Sequence, residues 1–474
     1  ACLAGYILNY NVKDDIAYLA NDFEYDIKFF DEFIKSDYTS LDKEKLITSK
    51  AIFIYEIRKR LIDNMIKENQ MDLFSDIEMK LSYVLASMEI EGVRVDVNEL
   101  DKMGEKINNK IKIISDEIYS LSDCEFNIQS PKQLGEILFD KLNIPYPKKK
   151  KTSYSTAREI LDKIINEHPI VEKIIEHRTL SKIYNTYILG IKNTIKSDGK
   201  LHTIYTQTLT RTGRLSSIEP NLQNIPIRYE EGKEIRKVFI PEENCIFLSS
   251  DYSQIELRMF AHMSKEKNLI DAFNNNIDIH TKTAMNIYHI NEDQVTSNMR
   301  REAKAVNFGI IYGISTYGLA EDLKISVNQA SDFLNKYYEA FPGIKEYNEK
   351  VIKDAKDKGY VTTIMNRKRN IDELRETNYM IRMQGERMAL NTPVQGSAAD
   401  ILKKAMIDIY NEFNRLKLKS KMILQIHDEL IFNVLKEEEK IVKDIVIKNM
   451  ENAYKLSVPL KVEVSIGNNL YEAK

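Results

Sequence analysis

The sequence predicts an α+β fold in which one sheet is assembled from two separated parts of the chain. Three observations predict it. At 474 residues the chain is too long for a single hydrophobic core, so several domains are expected. Strand-like and turn-like segments alternate between residues 201 and 264 and return near the C-terminus. Between those flanks, over 265–384, the pattern is helical, as it is over 76–200.

Each zone has its own signature. Residues 1–75 carry little motif content, and the acidic cluster from Asp22 to Glu32 reads as a solvated face. In the second zone, Met103, Ile107, Ile111, Ile114, Ile118 and Leu121 recur at three or four, one stripe of a long amphipathic helix. Pro145 to Lys151 breaks that pattern and ends in four lysines, Lys148 to Lys151. Such a run is either a solvated loop or, beside Thr152, Ser153, Ser155 and Thr156, a clamp for phosphates. In the third zone the apolar run Cys245–Ser250 ends at Asp251. In the last zone, 385–474, a further helix leads to two strand-like runs, Met422–Ile426 and Leu430–Val434, with His427, Asp428 and Glu429 between them. That is a β-hairpin with acids at its tip.

Composition excludes little. With 69 Lys and Arg against 72 Asp and Glu, the net charge of −3 neither favours nor opposes nucleic-acid binding, which depends on local patches. No apolar stretch reaches membrane-spanning length, so no membrane partner is expected. Cys2, Cys124 and Cys245 show no CxxC spacing, which fits a reducing cytoplasm better than a zinc site or disulfide framework. The start lacks the basic region of a signal peptide, and Ala1 in place of Met is expected of a piece of a longer chain. No period of solenoid length repeats.

Two features carry chemistry. The first is the carboxylates. Acids at a hairpin tip are ordinary turn chemistry, but His427 and Asp428 sit between two apolar strands, where a buried carboxylate needs a partner. If that hairpin neighbours the strand ending at Asp251, Asp251 and Asp428 converge. Two hard carboxylates and a triphosphate then make an oxygen-rich site suited to Mg²⁺. Glu429, adjacent on the strand, faces the other way and reaches the site indirectly.

The second feature is the segment RREAKAVNFGIIYG, in which Arg300, Lys304, Phe308 and Tyr312 lie four apart and form one row on a helix. Two cations followed by two aromatic rings match the order of a nucleoside triphosphate, from phosphates through sugar to base. The same spacing also describes an amphipathic helix with basic ends and an aromatic pair in the core. Gly309 and Gly313, each costing about 1 kcal/mol in a helix relative to Ala, mark a close approach or a bend.

At this point the residues resemble a known family. DYSQIELR from Asp251, RREAKAVNFGIIYG from Arg300 and QIHDEL from Gln425 are similar, in this order, to the motifs of the family-A DNA polymerases; TGRLSS, PNLQNIP and ERMALNTPVQGSAAD add to the match. The resemblance covers nearly the whole chain. It implies a right-hand polymerase fold with an antiparallel-sheet palm (201–264 and 385–474), helical fingers (265–384) and a helical thumb (76–200), plus a remnant of an exonuclease-like domain (1–75). It implies a DNA-directed DNA polymerase that adds dNTPs to a primer 3′-hydroxyl and releases pyrophosphate.

The resemblance also implies roles. Asp251 and Asp428, helped by the Tyr252 carbonyl, would bind two Mg²⁺ ions, which Mn²⁺ can replace. Asp251, Asp428, Glu429 and Lys304 would form the catalytic set. Arg300, Lys304, Phe308, Tyr312, His280, Gln254 and Glu256 would bind the dNTP, Glu256 excluding a 2′-hydroxyl while leaning on Tyr312. Arg214, Asn224, Arg387, Asn391, Gln395 and His427 would contact primer–template DNA near the growing end, and Ser130, Lys132 and Lys151 would grip the duplex backbone. A monomer acting on DNA at the nucleoid is implied.

The stretch Ala1–Ala4 resembles one that follows a metal-binding Asp in proofreading relatives, and Lys50-Ala51-Ile52 has no acid where a second is usual, so no proofreading is expected. Lys80 stands for a usual Pro, Ser153 for a usual Gly, Asn370-Ile371-Asp372 follows Arg367-Lys368-Arg369 without the usual Leu-Pro, and Leu470 stands for a common Trp. A single-subunit RNA polymerase is the rival opposed by Glu256 and Phe308; a non-enzymatic DNA-binding scaffold is opposed by the intact set of acids.

Overall fold

The computed structural model describes residues 1–13, 15–34, 39–147, 153–226 and 230–474. Lys151 lies outside the described residues, with the rest of the lysine run from Lys148 and with Thr152. The chain forms two compact units: residues 1–90, 205–217 and 249–464 make one, and residues 91–204, 218–248 and 465–474 the other.

The sheet expected from two distant stretches is present, with residues 249–252, 421–426, 429–435 and 462–464 of it in the larger unit. The strand Cys245–Tyr252 lies between Val462–Gly467 and Glu429–Leu435, and Lys421–Ile426 completes the order. The last two form the predicted hairpin, antiparallel, with Glu429 opposite Ile426. His427 and Asp428 are its two turn residues, and His427 takes the left-handed conformation (φ 55°) that such a tight turn needs. Nearly every residue of both hairpin strands is buried, which explains why they read as continuous apolar runs rather than as alternation.

Helices take up most of the interval 265–384, among them Ile279–Tyr288 and Ser297–Ile311, but it also holds an antiparallel pair of strands, Tyr360–Thr362 and Lys368–Asn370. The helix Ile255–Ser264 precedes the interval and the 38-residue Tyr379–Leu416 runs beyond it. The described residues among the first 67 add four helices around a core of Ala17, Leu19, Phe53, Ile57, Leu61 and Met65. The acidic residues Asp22, Glu24, Asp26, Asp31 and Glu32 are all exposed, a solvated face.

A buried charge network ties this unit together. Glu78 accepts hydrogen bonds from Lys403 Nζ at 2.6 Å, from Gln207 Nε2 at 2.6 Å and from Arg367. Asp400 accepts from Arg367 Nε at 2.9 Å and from the Thr363 hydroxyl at 2.7 Å. Two acids and two bases balance, so each buried charge has a partner. Burial opposes the Glu78 charge, but Lys403 and Arg367 hold its carboxyl down at about 2. Arg367 packs on Gly213 (φ +84°), where a Cβ would come 2.4 Å from its Nε. The next residue is Arg214.

In the smaller unit the predicted stripe lies on the helix Val97–Ser122, capped by Asp96, which accepts from the Glu99 N–H at 3.0 Å. Met103, Ile107, Ile114 and Ile118 are buried, whereas Ile111 and Leu121 are half-buried. Successive steps of four drift around a helix of about 3.6 residues per turn, which carries Ile111 to the edge of the face. Gly104 meets Ile188, whose Cγ2 lies 2.8 Å from where a Cβ would be. Strands Val93–Val95, Lys200–Leu201 and Phe239–Ile240 form a small antiparallel sheet with Val93–Val95 in the middle. Leu470 is fully buried here, and its carbonyl accepts from Arg236 Nε at 3.0 Å. Among the described residues no helix is long and apolar enough to cross a membrane.

Candidate active site

The two acids come together because their strands are neighbours. Asp251 is the penultimate residue of Cys245–Tyr252, and the next residue, Tyr252, donates its backbone N–H to the Asp428 carbonyl at 3.3 Å. Asp428 is half-buried and His427 exposed, so the expectation of a carboxylate enclosed between two strands is corrected. The turn lifts both residues past the strand ends. The enclosed acid is Glu429, 2% exposed, which accepts from the Ser249 hydroxyl at 2.5 Å. Ser249 and Asp251 alternate to the same face of their strand, so Glu429 lies one step below Asp251. Among the described residues no cluster of three or more His, Cys, Asp or Glu is placed to hold a metal.

Glu256 is the hub beside this pair. It opens the helix Ile255–Ser264 after Gln254, a half-buried residue in the left-handed conformation. Its carboxylate accepts from the Tyr312 hydroxyl at 2.5 Å and from Arg214 at 2.7 Å, and Gln395 stands near enough to favour its charged form. Arg214 lies 3.6 Å from Asp428 as well. Burial raises the Glu256 pKa, with Tyr312 and Arg214 pulling the other way. Gly213 and the buried Arg367 thus hold the loop from which Arg214 links two acids of the site.

The row of fours lies on the open side of its helix. Arg300 and Lys304 are exposed and Phe308 and Tyr312 half-buried, while Ala303, Val306, Ile310 and Ile311 form the packed face. The rings of Phe308 and Tyr312 stack at 6.5 Å with a 19° angle. None of the four side chains is part of the packed core. The helix ends at Ile311 rather than bending: Tyr312 caps it, and Gly313 follows at φ +63°. A Cβ on Gly313 would stand 3.2 Å from Arg387, and one on Gly309 would stand 2.8 Å from Ile314, so both glycines accommodate the chain itself.

Arg300 is already paired. Its guanidinium donates to both oxygens of Asp278, at 3.2 and 2.7 Å. Partial burial pushes Asp278 up, but Arg300 and the Thr281 N–H hold it at about 2. His280, two residues on, is 3% exposed. Burial, with Arg300 and Lys304 nearby, depresses its pKa to about 4 although Asp278 acts in the opposite sense.

A second row of fours, Arg387, Asn391 and Gln395, runs along the helix Tyr379–Leu416. Arg387 donates to the Tyr312 carbonyl at 3.4 Å and Gln395 stands near Glu256, so the two rows meet at the Tyr312–Glu256 pair. Between them the Asn391 Oδ1 is buried without a hydrogen-bond partner. Such an orphaned acceptor marks a place for a ligand or water.

In the smaller unit Asn224 is exposed, and its carbonyl accepts from Tyr187. Lys132 is exposed; Ser130 caps the helix Pro131–Gly135, accepting from the Gln133 N–H at 3.4 Å. Of the four hydroxyls read as a phosphate clamp, Thr156 is buried and bonded by Arg178 at 3.0 Å, whereas Ser153 and Ser155 are exposed.

Comparison with known proteins fixes the family. The model of DNA polymerase family A matches residues 97–472. The chain belongs to that family. DNA polymerase I of Bacillus subtilis (strain 168) is 48% identical over 481 residues, covering all of this chain and 55% of that protein. DNA polymerase I of Bacillus caldotenax is 49% identical over 431 residues, covering 90% of this chain and 49% of its own length. The chain thus spans about half the length of the curated relatives it matches. A solved structure of the POL domain of Pol1 from M. smegmatis, in complex with DNA primer-template and dNTP, superposes with a TM-score of 0.92 at 35% identity, covering all of this chain and 82% of that one. The right-hand polymerase fold is the architecture of this family-A chain.

Sequence reasoning missed the groups that support the motif residues. Asp278, Asn307, Glu78 and Arg367 received no role. Asp278 had a readable signal, an acid two residues before His280 at a helix start. Glu78 had none, since its charged partners lie about three hundred residues away.

Proposed function

We propose that this chain is a DNA-directed DNA polymerase that extends a primer on a template with dNTPs and releases pyrophosphate. The observation that carries the reading is the adjacency of Asp251 and Asp428 beside an outward row of two cations and two stacked rings. The smegmatis relative, solved with primer-template and dNTP, supports both partners.

Two neighbouring carboxylates and the Tyr252 carbonyl are hard oxygen donors that fit Mg²⁺ or Mn²⁺, with a triphosphate completing the set. Two such ions, when bound, would supply charge stabilisation to the attacking and leaving oxygens. Asp251 and Asp428 hold that charge at the sheet edge. Arg300, prealigned by Asp278, and Lys304 grip the phosphates and oppose the charge of the departing pyrophosphate. Phe308 lies against the sugar, and Tyr312 against the base. Glu256, buried and held by Tyr312 and Arg214, occupies the space a 2′-hydroxyl needs. Arg387, Asn391, Gln395 and His427 contact the terminal pair, where the orphaned Asn391 acceptor finds a donor. Asn224, Ser130 and Lys132 hold the duplex backbone. Glu429 acts indirectly, through Ser249.

We assign 1–75 to an exonuclease-like remnant without proofreading, 76–200 to the thumb, 201–264 and 385–474 to the palm and 265–384 to the fingers, in a monomer working on DNA at the nucleoid. Supporting the loss of proofreading, Lys50, beside Ala51, places its ammonium 2.7 Å from Asp15, a cation where metal chemistry needs acids.

Primer extension on a DNA template tests the reading. Extension with dNTPs in Mg²⁺, none in EDTA and poor extension with NTPs is the expected result. Equal use of NTPs would favour an RNA polymerase, no product a binding scaffold, and mononucleotides released from mismatched primers a working exonuclease.

A further inference from the structure

On the packed face of the helix Ser297–Ile311, among Ala303, Val306 and Ile310, one buried side chain is polar. Asn307 is completely buried, and an amide in that setting is costly unless hydrogen-bonded. Its Nδ2 lies 3.0 Å from Nδ1 of His280 and 3.1 Å from the Thr283 hydroxyl, which in turn donates to Asn307 Oδ1 at 3.2 Å. His280 and Thr283 are three apart on the helix Ile279–Tyr288 and so share a face.

We propose that Asn307 is a positioning residue: by donating to Nδ1 it fixes His280 as the neutral tautomer with its ring proton on Nε2, so that His280 offers the nucleotide's triphosphate a hydrogen-bond donor without a charge. This rests on the polymerase reading above.

The amide decides the tautomer because its two ends demand opposite things of Nδ1. With Nδ2 facing the ring, Nδ1 must present a lone pair; with Oδ1 there, Nδ1 would carry the proton. Thr283, fully buried, meets the same amide, its hydroxyl 3.1 Å from Nδ2 and 3.2 Å from Oδ1. The surroundings keep the ring neutral. It is buried, it sits in the first turn of a helix whose positive end repels an imidazolium, and Arg300 and Lys304 act in the same sense. Asp278 opposes them, but its carboxylate is engaged by Arg300. The positive charge for phosphates then comes from Arg300 and Lys304, and His280 adds direction.

Nitrogen NMR of the whole chain with labelled histidine tests this directly. There are seven histidines, and His280→Gln identifies the signal. The expected result is a neutral Nε2–H ring at neutral pH that stays neutral down to about pH 5. A ring with its proton on Nδ1, or an imidazolium at neutral pH, overturns the inference. Asn307→Asp gives a second readout. A carboxylate at Nδ1 favours the imidazolium at low pH, which keeps Nε2–H. As pH rises, the one remaining proton is held on Nδ1 and the donor is lost. The KM for dNTP should therefore be level in the parent between about pH 6 and 9 but climb roughly tenfold in the variant, with kcat changing less. A variant KM that follows the parent throughout would reduce Asn307 to a packing role and overturn the proposal. The NMR needs no catalysis. The predicted tautomer in a chain that extends no primer defeats the polymerase reading alone, and an Nδ1–H ring in a chain that extends primers defeats this inference alone.

Discussion

Glu256 shows how much of this site depends on one side chain. It has Tyr312 at 2.5 Å, Arg214 at 2.7 Å and little access to water. Replacing it with Ala removes the acceptor of both and, on the proposed polymerase reading, opens space beside the sugar. We expect Glu256→Ala to lower the preference for dNTP over NTP by about tenfold or more, since the discrimination of a single hydroxyl by a shaped pocket is worth about 1–3 kcal/mol. Competitive incorporation on one template measures it, and an unchanged ratio would remove Glu256 from the gate. Phe308 presents a ring edge without a hydroxyl. The parent should therefore use dideoxynucleotides poorly, and equal termination and extension efficiencies would contradict its placement on the sugar.

At the scale of elements, the link between Tyr312 and the helix after it is tight. Gly313 sits at φ +63° with Arg387 3.2 Å from its absent Cβ. Gly313→Ala should cost about 1 kcal/mol or more in stability and displace the Tyr312 ring. Thermal unfolding together with dNTP KM checks this; a variant matching the parent in both would show that the turn tolerates a side chain. Elements are also where sequence and structure can be compared most sharply. The hairpin around His427 and the Val97–Ser122 helix were readable because their signals are local, two apolar runs about a polar turn in the one and an apolar stripe in the other. The row from Arg300 to Tyr312 was readable as a row, but its exposure was not. Spacing fixes which residues share a face, and packing partners elsewhere in the chain fix where that face points. The end of the helix at Ile311 was missed because Gly309 and Gly313 fit a bend equally well until Ile314 and Arg387 are seen against them.

For the whole molecule, stability and function meet in buried charge. Glu78, Arg367, Asp400 and Lys403 join segments far apart in sequence, a feature no local pattern announces. Because the Glu78 pKa is depressed in the folded state, its contribution is present above the ordinary carboxylate range and is lost as pH falls toward about 2. Asp278 adds to the same trend. Acid unfolding should steepen across that interval, and Glu78→Gln should remove part of the slope while costing about 3–5 kcal/mol at neutral pH, as expected when one partner of a buried pair is lost. Chemical denaturation at several pH values reads both effects; parallel stability profiles for parent and variant would show that the network contributes no net pH dependence. The central claim, that adjacent Asp251 and Asp428 drive nucleotide addition, is tested most directly by single-turnover incorporation with Asp428→Asn in Mg²⁺. The geometry predicts a loss of about a thousandfold or more in rate, roughly 4 kcal/mol of transition-state stabilisation, with the fold intact. Incorporation at the parental rate would contradict it.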